Sequence, residues 1–102
     1  MGNIRDRIPV ISETLTISSA AVSLTVNIYG NITGSDIEAE VYVETAQIRF
    51  DFSPGNPATG GAVEAGQNFM LYNETEIKNV RMIRGGSTDA TVRVLYFKTS
   101  KT

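Results

Sequence analysis

The chain has 102 residues, 41% of them hydrophobic and 20% charged, with a net charge of −2, which is the size and composition of one soluble globular domain. Cys, His and Trp are all absent. Disulfides, thiolate nucleophiles, imidazole bases and the usual transition-metal ligands are thereby excluded, so the chain is expected to be no enzyme and to hold no cofactor or metal.

Residues 1–11 carry Arg5, Asp6, Arg7 and Pro9 before any clear apolar alternation, and are read as an extended N-terminal arm. Met1 to Asp6 lacks the apolar core of a signal peptide, and no run approaches the roughly 20 apolar residues that span a bilayer, so cytoplasmic synthesis and no membrane partner are expected. From residue 12 to 98 the apolar pattern has period two, with β-branched residues dominant, which predicts strands. Leu15 and Ile17 alternate with threonines in Glu13 to Ile17; Val22, Leu24, Val26 and Ile28 alternate with polar residues in a second strand. Tyr29 to Asp36 supplies turn residues.

Glu38 to Val43 sets Ala39, Val41 and Val43 against Glu38, Glu40 and Tyr42; Gln47 to Phe52 sets Ile48, Phe50 and Phe52 against Gln47, Arg49 and Asp51. The short tie between them predicts a hairpin. Ser53 to Gly61, with two prolines and three glycines, is the longest loop. Glu64-Ala65-Gly66 turns into a strand from Gln67 to Tyr72, Asn73-Glu74-Thr75 turns into a strand from Ile77 to Arg84, and Gly85 to Asp89 closes a final hairpin with Ala90 to Lys98. Thr99 to Thr102 reads as a polar tail. The whole predicts an all-β fold, a single antiparallel, jelly-roll-like sandwich of seven or eight short strands.

Charge is segregated along the chain. Residues 8–48 hold five acids and no Lys or Arg, whereas residues 78–102 hold six bases against one acid, which places acidic and basic strands side by side or on complementary faces of neighbouring subunits. Nucleic acid is not expected as a partner, because such binders carry a basic excess over the whole domain. Glu38, Glu40 and Glu44 have the spacing of paired catalytic carboxylates, yet a solvated acidic face explains them as well. Gly60-Gly61 and Gly85-Gly86 lack the lysine and helix start of a phosphate loop.

The last strand carries large apolar groups on both faces: Val92, Val94 and Tyr96 on one, Leu95 and Phe97 beside Arg93 on the other. Phe69 and Leu71 oppose Met70 and Tyr72 in the same way. A second apolar face calls for cover by a loop, by the arm or by another chain, and an interface that includes Tyr42, Leu95 and Phe97 is expected.

Val43 to Phe50, then Glu64-Ala65-Gly66, then Ile77 to Val94 with its Gly85-Gly86-Ser87-Thr88-Asp89 turn, together resemble small virion-associated proteins of tailed bacteriophages. The resemblance covers roughly residues 38–97 and is a pattern of strands and turns. It implies a structural protein of the virion, foremost a capsid decoration or cement protein on the major capsid protein lattice, and a homo-oligomer, for which a trimer is natural at lattice three-fold points. On that reading Arg5, Arg7 and Ile8 in the arm, with Tyr42, Leu95 and Phe97 on the sheet, carry the contacts. Two alternatives stand beside it: a neck or tail structural protein, and a receptor- or carbohydrate-binding sandwich that uses the 53–61 loop and the aromatic residues.

Overall fold

The computed structural model describes residues 5–25, 30 and 36–101. Among these residues, alternating β-branched segments form seven strands: β1 (Arg5–Ile17), β2 (Asp36–Val43), β3 (Ile48–Phe52), β4 (Gly61–Val63), β5 (Asn68–Leu71), β6 (Val80–Arg84) and β7 (Ala90–Lys101). They build an all-β sandwich of two antiparallel sheets, sheet A in the order β1-β7-β2-β5 and sheet B in the order β4-β3-β6. An isolated bridge pairs Val22 with Met82 beside β6, which adds a fourth position to sheet B. Most connections step from one sheet to the other, as in a jelly roll.

The inward residues are those that the alternation marks. Ile17, Ala39, Val41, Val43, Ile48, Leu71, Met82, Val92, Val94 and Tyr96 are buried between the sheets. Each large aliphatic among them contributes about 1.5–3 kcal/mol by leaving water. Phe50 of β3 stacks on Phe69 of β5 with centroids 4.3 Å apart and planes 5° from parallel, so one aromatic pair clasps sheet B to sheet A.

Several expectations need correction or trimming. Residues 5–11 do not stand apart as an arm: they belong to β1 and, apart from Val10 at a register shift, pair with residues 96–101 of β7. Residues 99–101 likewise belong to β7, with Thr99 buried. β2 and β3 form no hairpin, because the end of β2 is already held within sheet A: Gly66 N donates to Val43 O, Glu44 N to Thr91 O, and Thr91 N to Thr45 Oγ1. The chain must therefore leave for sheet B. Gly85 to Asp89 closes no hairpin either, since Arg84 N donates to Ser18 O and Gly85 N to Gln47 O, which keep β6 in sheet B. The strand expected from Ile77 begins only at Val80, and Glu74–Asn79 is a short helix, α1. Of the expected strand Val22 to Ile28, residues 23–25 are irregular and 26–28 lie outside the described residues, as does most of the 29–36 turn.

The Glu64-Ala65-Gly66 turn forms as expected. Gln67 N donates to Glu64 O, and Gly66 at φ +89° occupies the left-handed position that such a turn reserves for glycine.

Candidate functional site: the outer face of sheet A

In a pleated sheet, paired residues share a face, so the register assigns the outer surface of sheet A. Pro9 pairs with Phe97 and Phe97 with Glu38; Ser12 pairs with Leu95 and Leu95 with Glu40; Tyr42 pairs with Arg93 and with Asn68. Arg7, two residues before Pro9, joins the same face. Arg7, Tyr42, Leu95 and Phe97 are therefore brought together. Ile8 is not: it pairs with Lys98, which also pairs with Ile37, so it lies on the opposite face and is 52% exposed. Arg5 pairs with Lys101 along the backbone, and its side chain is outside the described residues.

Arg7 organises one end of this face. From β1 its guanidinium reaches across β7, lying 4.1 Å from the centroid of the Phe97 ring, and meets β2 on the far side, with Nε 3.2 Å from Glu38 Oε1 and an NH2 group 3.9 Å from Glu40. The same NH2 group approaches Met70 Sδ of β5 at 3.8 Å. One side chain thus ties all four strands of sheet A. Phe97 is only 9% exposed, so the cover demanded by its apolar ring comes from this chain's own N-terminal strand. The Glu38 and Glu40 carboxylates, whose spacing alone would suit a catalytic pair, face Arg7, and Glu40 also accepts from Asn68 Nδ2 at 2.6 Å.

The other end of the face stays open. Tyr42 and Arg93 are exposed and Leu95 is half-buried. A shallow depression of about 550 Å³ opens between Tyr42, Glu44, Gln67, Arg93 and Leu95, and a second of about 240 Å³ lies between Leu95, Arg93 and the Pro9 to Ser12 stretch of β1. Leu95 and Arg93 form the ridge shared by both. A hydrogen bond with Glu40 is the first cause that holds the Tyr42 phenol above its ordinary pKa of 10.0, with desolvation and the Glu40 charge adding to it and Arg7 and Arg93 opposing it.

The sequence points to Tyr42, Leu95, Phe97 and Arg7 as interface residues but does not reveal their mutual geometry or the role of Glu38 and Glu40 as partners of Arg7. Charge segregation is the one signal it offers. Acidic β2 does lie beside basic β7, yet its described ion pairs are to Arg7 on the strand beyond.

Neither a protein-family model nor a curated protein matches the sequence. Among solved structures, the fold is similar to a chain of the Bacillus endospore appendages, described as a novel family of disulfide-linked pili, with a TM-score of 0.50 and 14% sequence identity over 95% of this chain and 88% of that chain. At this identity the likeness is one of fold.

Proposed function

We propose that this chain is a non-catalytic structural subunit of a large protein assembly, docking through the open end of the outer face of sheet A. The observation that carries the reading is the Leu95 and Arg93 ridge between two shallow depressions, with exposed Tyr42 beside it: an apolar and aromatic centre with one cation, broad rather than deep. Such a surface suits many weak, repeated contacts whose avidity exceeds any one affinity. The resemblance of residues 38–97 to virion-associated proteins supports a tailed-phage particle as the assembly and the major capsid protein lattice as the partner. The fold's similarity to a chain of a pilus supports its use as a repeating subunit, although cross-linking by disulfides is unavailable to a chain without cysteine.

Quantitative mass spectrometry of particles against the major capsid protein tests the assignment. Hundreds of copies per particle are expected of a lattice protein; a dozen or fewer would move the chain to the neck or tail, and absence would overturn the virion reading. Leu95→Asp should lower occupancy on particles while leaving the isolated chain folded, since Leu95 lies on the outer face and is only half-buried.

A further inference from the structure

β1 is two strands in one. Its pairing with β7 runs from Arg5↔Lys101 to Pro9↔Phe97, shifts register, and resumes at Ile11↔Tyr96, leaving Val10 unpaired in a bulge. Pro9 immediately before the bulge has no N–H to give the ladder. The two halves are anchored differently. The second half carries Ile17 in the core and Leu15 packed against it, whereas Ile8 in the first half, Val10 in the bulge and Ile11 where pairing resumes are 52%, 45% and 46% exposed. The described anchors of residues 5–9 are the ladder with β7 and the contacts of Arg7.

The described groups that receive Arg7 lie on other strands. Glu38 and Glu40 are on β2, Phe97 on β7 and Met70 on β5. The Glu38 side chain is only 6% exposed, so a buried carboxylate stands at the end of an aromatic shelf, a setting whose chemistry calls for a guanidinium on an extended strand. A second copy of residues 5–9 carries the same guanidinium on the same stretch of sequence.

We propose that residues 5–9 are an exchangeable strand: in the assembled state the first half of β1 from one copy pairs with residues 97–101 of a second copy and places its Arg7 over that copy's Phe97, against Glu38 and Glu40. The bulge at Val10 is the hinge. The pairing opened within one chain is re-formed between two, so the balance is set by hinge geometry and by local concentration, which a lattice raises. The proposal deepens the reading of the chain as an assembly subunit and rests on it for the concentration at which exchange prevails.

The absence of cysteine permits a direct test, because Ile8 and Lys98 are opposite each other in the register. The double variant Ile8→Cys/Lys98→Cys should close a disulfide within one chain on oxidation, verifying that the pair can bond. The two single variants, one carrying a mass tag, are then mixed at high concentration and oxidised. Exchange yields a heterodimer cross-linked between position 8 of one chain and position 98 of the other, in excess over both homodimers, and Arg7→Glu in the Ile8→Cys chain lowers that yield roughly tenfold. A heterodimer no more abundant than the homodimers, with the double variant closing in full, would overturn the proposal. An acceptor lacking residues 1–9 should capture a synthetic peptide of residues 1–13 carrying Ile8→Cys; the full-length pair keeps the test decisive should the truncated chain not fold. Abundant copies in particles without cross-linking would sink exchange and leave the virion assignment standing, and cross-linking by a chain absent from particles would do the reverse.

Discussion

Arg7, Tyr42 and Tyr96 show how single side chains act here through what the register sets beside them. Tyr96 is wholly buried, and its hydroxyl donates to the Glu13 carboxylate, which also accepts from Thr25 Oγ1 at 2.6 Å and Thr25 N at 3.2 Å. This network fixes the chain at residue 25 against the first strand. Tyr96→Phe keeps the ring and removes the donor; urea denaturation should show a loss of about 1–2 kcal/mol. Tyr42 is governed by Glu40. Because its phenol is held above the ordinary value, the unfolded chain releases that proton first as pH climbs past 10; the stabilisation is fully present below that point and is lost as pH rises through the raised folded value. An absorbance titration of the phenolates, with Tyr42→Phe as the reference that isolates this phenol, should find Tyr42 ionising above its ordinary value, and Glu40→Gln should bring its midpoint down. A midpoint that does not move would mean that Glu40 is not the cause.

At the scale of elements, the short helix is the instructive departure. Asn73 caps α1, its Oδ1 accepting from Glu76 N at 2.9 Å, while Glu76 Oε1 reaches back to accept from Tyr72 N; Glu74 and Glu76 lie in the first turn and Lys78 in the last. Asn followed three residues later by Glu is the sequence signature of a helix start, yet the alternation that resumes in β6 overshadows it. The helix buries Ile77 and delivers the chain from sheet A into β6. Asn73→Ala should cost about 1 kcal/mol in thermal or chemical denaturation, with far-ultraviolet dichroism little changed because six residues carry so little of the signal. Short connectors mislead for a related reason. The brief tie between β2 and β3 fits a hairpin and a crossover between sheets equally well, and only the bonds that claim Val43, Glu44 and Thr91 decide between them.

Across the whole molecule, the two sheets are joined by aliphatic packing and by the Phe50 and Phe69 stack. Phe69→Ala should lower stability by about 2–4 kcal/mol, read from the denaturation midpoint, because it removes both buried area and the partner ring. The 46 Å long axis matches the 13 extended residues of β1, so the paired β1 and β7 run nearly the length of the molecule. Period-two alternation by itself determined the all-β class, the inward sets of β1, β2, β3 and β7, and the turn at Gly66, because each depends on neighbours in the chain and on the local chemistry of φ > 0. The absence of Cys and His likewise narrowed the chemistry before any fold was known. Strand order was decided only in three dimensions. Residues 5–11 read as an arm because nothing local gives Arg5 to Pro9 a partner, and their partner is the far end of the chain, about ninety residues on. The same long-range pairing sets Arg7 of β1 two strands from Glu38 and Glu40 of β2, where its charge and the Phe97 ring close half of the outer face and leave Leu95, Arg93 and Tyr42 open. Alternation tells which way a side chain points; which strand lies alongside depends on burial and hydrogen bonding summed over the whole sandwich.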